Sequence, residues 1–183
     1  MRALLLLVAL STTAAADPLP PGSLGALFGP TSGTGPDAKV IGAGYTFGAQ
    51  AAWQPMNTDR RFGWALRWAT LFGAYGLFYQ GSAAQIESTL RTVQMDFTLG
   101  ARWRPWPSPS SYLTLRPGVE VFRANEPLPP KMQRSFVGGI AEVGFEHYFL
   151  GTSLLLDIDV RYGLVGSQPS NIAVLFALSL TGP

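Results

Sequence analysis

The chain has 183 residues, a formal net charge of +2, no cysteine, 47% hydrophobic and only 13% charged residues. Without cysteine there is no disulfide framework, no thiolate metal site and no anchor point for a lipoprotein. A charge this small, with no Lys/Arg cluster, argues against nucleic acid as a partner.

The N-terminal stretch MRALLLLVALSTTAAADP combines Arg2, the apolar run Ala3 to Leu10 and the small residues Ala14, Ala15 and Ala16. A positive start, a short apolar core and a small-residue cleavage site predict a secretory signal peptide over residues 1–16. Residues 17–183 are then expected to form one domain. Their composition is apolar for a secreted soluble domain, yet no later window approaches the roughly 20 apolar residues of a membrane helix. Such a chain can enter a bilayer only as a closed barrel, because hydrocarbon leaves every backbone polar group to be satisfied within the protein.

Strand candidates follow one another. Ser23 to Gly29 is short, with Leu24, Ala26 and Phe28 on one side. From Val40 to Trp53, Ile41, Ala43, Tyr45, Phe47, Ala49, Ala51 and Trp53 alternate with Gly42, Gly44, Thr46, Gly48, Gln50 and Ala52. Next, Phe62, Trp64, Leu66, Trp68 and Phe72 oppose Gly63, Ala65, Arg67, Ala69 and Gly73. In RTVQMDFTLGARW, residues 91–103, the apolar side from Val93 to Trp103 opposes Thr92, Gln94, Asp96, Thr98, Gly100 and Arg102. Leu113, Leu115, Val119 and Val121 then face away from Thr114, Arg116, Gly118 and Glu120. Val137, Ala141, Val143 and Phe145 face away from Gly138, Ile140, Glu142, Gly144 and Glu146. Leu154, Leu156, Ile158, Val160 and Tyr162 oppose Ser153, Leu155, Asp157, Asp159, Arg161 and Gly163. Last, Ile172, Val174, Phe176, Leu178 and Leu180 oppose Ala173, Leu175, Ala177, Ser179 and Thr181.

A period of two means extended strands with two unlike faces. Seven of these runs have about ten or more residues, against about 5–6 for an ordinary strand and about 9–11 for a tilted membrane strand. Pro, Gly, Ser and Asn crowd the stretches between them. Ser23–Gly29 brings the count to the even number expected of a single-chain barrel; splitting Thr70 to Gln80 would supply the eighth strand instead. A periplasmic N-terminus would put loops 31–38, 74–89, 123–134 and 165–170 outside the cell. Connections 54–61, 104–111 and 149–152 would lie in the periplasm. Trp53, Trp64, Trp103, Trp106, Tyr112 and Phe149 fall beside the latter set, as an aromatic girdle requires. Tyr75, Phe78, Tyr79, Phe122, Phe136 and Tyr162 suggest a looser girdle at the other end.

The remaining choice is which face is inside. Gly, Ala and Thr with scattered charges would be an odd solvated surface, whereas small residues leave room for long ones in a narrow barrel. Turned inward, Arg67, Arg102, Arg116 and Arg161 meet Asp96, Glu120, Glu142, Glu146, Asp157 and Asp159. The sum, 4 − 6 = −2, is near the balance that charges removed from water require. The expected fold is an all-β, antiparallel, up-and-down transmembrane barrel of eight strands with lipid around it.

On these features (export signal, alternating strands, ionic interior, short turns) the chain resembles the small eight-stranded outer-membrane proteins, the OmpA/OmpX-like barrel superfamily. The resemblance implies residence in the bacterial outer membrane. It departs at the end, where such proteins usually finish on an aromatic residue and this one reads FALSLTGP.

Chemistry-bearing residues are few. His147 is the single histidine. Parity points it outward with Phe145, away from Glu146 and Ser153, so no Ser–His–acid set forms. A lipid A deacylase, which this size class resembles, carries a serine two residues after the histidine, where Phe149 stands. Asp157 and Asp159 lie mid-strand near Arg161 and read as ion-paired, unlike the adaptable loop ligands of Ca²⁺. No metal and no cofactor is expected. The leading reading is a non-enzymatic structural or interaction protein of the envelope. An envelope protein partner would be met through loop 74–89 or the periplasmic turns. The alternatives are a deacylase-like lipid-modifying enzyme, or a soluble periplasmic ligand-binding barrel with the faces reversed.

Overall fold

The computed structural model describes residues 22–34, 41–54, 61–77, 88–107, 110–128, 133–149, 153–164 and 170–182. They form β1 (Gly22–Thr34), β2 (Ile41–Trp53), β3 (Phe62–Leu77), β4 (Ser88–Trp103), β5 (Ser111–Leu128), β6 (Gln133–Phe149), β7 (Leu154–Leu164) and β8 (Ser170–Gly182). Each strand pairs antiparallel with the next, and β1 pairs with β8 to close the barrel. Closure removes both sheet edges, so the ladders satisfy the backbone without water.

The faces divide as the alternation dictates. Phe97 is 48% exposed, while its neighbours Asp96 and Thr98 are 1% and 2% exposed. Outside, residues of neighbouring strands meet ring to ring: the diagonal pair Trp53 and Trp64 at 4.8 Å, and the direct partners Phe47 with Phe72 at 5.8 Å and Phe28 with Phe176 at 5.9 Å. A surface of exposed Leu, Phe, Trp and Val running round the barrel suits hydrocarbon, not water.

The first strand is real and longer than expected, continuing through Gly29 and Pro30 to Thr34. Pro30 has no N–H, and the β1–β8 ladder skips Gly29 and Pro30 between Phe28↔Phe176 and Thr31↔Ala173. Pro117 does the same in β5, where the β4–β5 ladder skips from Gly118 to Leu115. Gly29 is required by close approach, since a Cβ there would lie 1.7 Å from the Val174 carbonyl oxygen. Gly29→Ala is therefore expected to destabilise the barrel by about 1–3 kcal/mol, read as an earlier heat-induced mobility shift on an unheated-versus-boiled gel.

Other boundaries differ as well. β3 runs unbroken from Phe62 to Leu77, so the described part of the Thr70 to Gln80 segment does not split. Residues 31–34, 74–77, 88–89, 123–128, 133–134 and 170, read as outer loops, belong to strands, as do Ser111 and Phe149 at the other end. Asn125 and Glu126 look like turn formers, but the β5–β6 hairpin continues past them to Leu128↔Gln133. Ile41 faces inward, because the β2–β3 register shifts between Ile41 and Gly44. Thr181 and Gly182 complete β8, with Gly182 opposite Gly22. Segments 1–16 and 78–87, the signal peptide and most of the contact loop, lie outside the described residues, as do Phe78 and Tyr79.

Four girdle residues, Trp53, Trp64, Trp103 and Trp106, stand exposed at one end, and Phe149 is half-buried there. Tyr112 does not join them. It shares the parity of Thr114 and Arg116 and is fully buried inside. For the same reason Tyr75, Phe122 and Phe136 turn inward at the opposite end, leaving Tyr162 as the exposed one among the described members of that set.

Candidate functional site

Among the described residues, charged side chains concentrate in the barrel interior. Arg67 comes from β3, Asp96 and Arg102 from β4, and Arg116 and Glu120 from β5. Glu142 and Glu146 come from β6, and Asp157, Asp159 and Arg161 from β7. All ten residues are at most 2% exposed. β8, β1 and β2 supply the apolar and amide complement: Leu27, Gln50, Ala173, Leu175 and Ala177 point inward. Long charged side chains from one wall therefore lie across small ones on the other, which is how an eight-stranded interior fills.

The charges separate into two groups. Near the end away from the tryptophans, Arg161 donates to Asp96 through Nε at 2.7 Å and Nη2 at 3.0 Å, to Asn171 at 2.6 Å, and also to Glu120. The larger group holds three guanidiniums and four carboxylates. Arg116 donates from Nε to Glu142 at 3.2 Å, from Nη1 to Glu146 at 3.0 Å, and from Nη2 to Asp159. Arg67 meets Glu142 at 2.9 Å and pairs with Asp159. Arg102 reaches Glu146 from Nε at 2.7 Å. Asp157 is held only loosely, 3.5 Å from Arg116 and 3.8 Å from Arg67. Arginine suits this work because its planar fork serves several acceptors at once.

Aromatic layers close both ends of the ionic column. Beside the tryptophans, Arg102 lies 4.4 Å over the Tyr112 ring and donates to the Tyr148 hydroxyl at 2.8 Å, which Gln54 also reaches at 2.7 Å. Leu155 packs with both tyrosines. At the other end Ile41, Tyr75, Leu90, Phe122, Ala124 and Phe136 form a cap, and the Tyr75 hydroxyl accepts from Gln94 and Thr31. Proximity to turns suggests a girdle position for Tyr112 and Tyr75, and Tyr148 carries no such signal. Strand alternation alone would have found them.

His147 stands on the outer wall yet is 4% exposed, flanked by Phe145 at 6.4 Å and Phe149 at 5.0 Å between ring centroids. Its Nδ1 is 2.9 Å from Ser111 Oγ on the paired strand. Neither Glu146 nor Ser153 approaches it; the serine it does meet begins β5 and was read as part of a turn. The pair has no carboxylate behind it, and the faces of the ring are covered by aromatics. Among the described residues no group of three His, Asp or Glu side chains is arranged to hold a metal ion.

A closed eight-stranded barrel with an apolar exterior and a filled polar interior is the fold of outer-membrane β-barrels, and known structures share it. The chain is similar to Ail, the attachment invasion locus protein of Yersinia pestis, with 12% identity and a TM-score of 0.56 over 87% of this chain and 97% of Ail. It is similar to Neisserial surface protein A, with 9% identity and a TM-score of 0.58 over 91% of this chain and 100% of the other. It is also similar to OprG from Pseudomonas aeruginosa, with 12% identity and a TM-score of 0.52 over 91% and 99%. At such identities the likeness is one of fold. No protein-family model and no curated protein sequence matches the chain.

Proposed function

We propose that this barrel is a non-enzymatic structural or interaction component of the bacterial outer envelope, acting through its surface and loops and not as a pore. The supporting observation is the interior: ten buried charges tied into ion pairs between two aromatic caps. Its loops, segment 74–89 above all, and its turns are where an envelope protein would be met. Residues 1–16 would direct export and be cleaved in the process.

A liposome-swelling assay on the reconstituted chain tests this reading. Sugars and amino acids are expected to enter no faster than into protein-free vesicles, and measurable flux would sink the closed interior. The enzymatic alternative makes a separate prediction. His147→Ala in the producing bacterium is expected to leave the mass spectrum of its lipid A unchanged, because the Ser111–His147 pair lacks an acid partner and ring access.

A further inference from the structure

On the lipid-facing wall, near the end opposite the tryptophans, cross-strand register aligns two rows. One runs Tyr45 (β2), Ala74 (β3), Arg91 (β4); the next runs Phe47, Phe72, Val93 and Arg123 (β5). Ala74, with only a methyl group, sits between Tyr45 and Arg91. Val93 likewise sits between Phe72 and Arg123. The small side chains among large ones leave a groove of about 570 Å³, walled by the aromatics on one side and by the two arginines on the other. Both guanidiniums lie on the outer face and are exposed. Among the described residues neither forms a salt bridge.

The four interior arginines are all paired with carboxylates, whereas these two flank one apolar groove. Two unmatched cations over hydrocarbon are expensive unless an anion meets them, and a bilayer offers such an anion at the height of its headgroups. We infer that this groove is a binding site for an anionic, phosphate-bearing lipid, its acyl chain lying against Tyr45, Phe47 and Phe72 and its phosphate held by Arg91 and Arg123. Arginine forks match phosphate oxygens in geometry as well as charge, and each basic residue near a bilayer surface adds to the attraction of an anionic lipid.

The test is lipid retention by the full folded chain in mixed micelles holding equal phosphatidylglycerol and phosphatidylcholine, read by native mass spectrometry. The wild-type barrel is expected to retain phosphatidylglycerol over phosphatidylcholine by about tenfold. The double variant Arg91→Gln/Arg123→Gln is expected to lose that preference, and Arg61→Gln, exposed at the other end, to keep it. Ala74→Trp fills the groove while leaving both arginines and is expected to abolish retention; the heat-dependent gel shift verifies that each variant is folded. Equal retention of the two lipids by the wild type would overturn the site. So would a preference surviving either the arginine pair or Ala74→Trp, or displacement of the lipid by millimolar inorganic phosphate, which would mean that a free anion is the ligand.

Discussion

Arg116→Met is expected to destabilise the barrel by about 3–5 kcal/mol, the cost of stranding buried charges by removing one partner. Arg116 touches Glu142, Glu146, Asp157 and Asp159, each fully or almost fully buried. Without it, those four carboxylates face only Arg67 and Arg102, so the group goes from 3 − 4 = −1 to 2 − 4 = −2. The midpoint of urea unfolding in vesicles measures the loss. Two comparisons separate charge from packing. Asp157→Asn is nearly isosteric, removes the acid that is most loosely paired, and relieves its repulsion with Asp159; its unfolding free energy is expected to move by less than about 1 kcal/mol. Adding Glu142→Gln to Arg116→Met removes one stranded carboxylate and is expected to recover part of the loss. A harmless Arg116→Met would mean that the interior is held by shape and not by its ion pairs.

Which residues face inward was legible; who meets whom was not. Parity placed Arg67, Asp96, Arg161 and their companions on one side of their strands, because a period of two leaves no freedom once a single face is known. The contacts themselves cross the barrel. Arg67 on β3 binds Asp159 on β7, and Arg161 on β7 binds Asp96 on β4. Such pairs depend on strand tilt and stagger, which leave no trace in the spacing along any one strand. Strand ends were lost for a related reason. Pro30 and the Asn125–Glu126 pair carry turn-like chemistry, but a barrel has neighbours on both sides of every strand, and a ladder can skip a proline without ending. The aromatic caps show the opposite error: Tyr75, Tyr112 and Phe136 were assigned by proximity to strand ends, when the alternation already put them inside.

What surrounds the barrel can be decided at one position. Val119, near the middle of β5, faces outward opposite Phe97 and is 53% exposed. On a water-soluble barrel, arginine at an exposed site of this kind changes stability by no more than about 0.5 kcal/mol. At the midplane of a bilayer the same change costs about 2–4 kcal/mol. Val119→Arg is therefore expected to lower the unfolding free energy by the larger amount in vesicles. The penalty should shrink toward about 0–1 kcal/mol when the arginine is moved to Leu180, also outward and close to the end of β8, where the interface begins. The depth dependence carries the argument. A cost of comparable size at both positions would point to ordinary strand packing, and no cost at either would mean that Phe97, Trp68 and Val119 face water. A steep fall from Val119 to Leu180 can come only from a slab of hydrocarbon around the strands, and it would locate the two levels of that slab on the barrel wall.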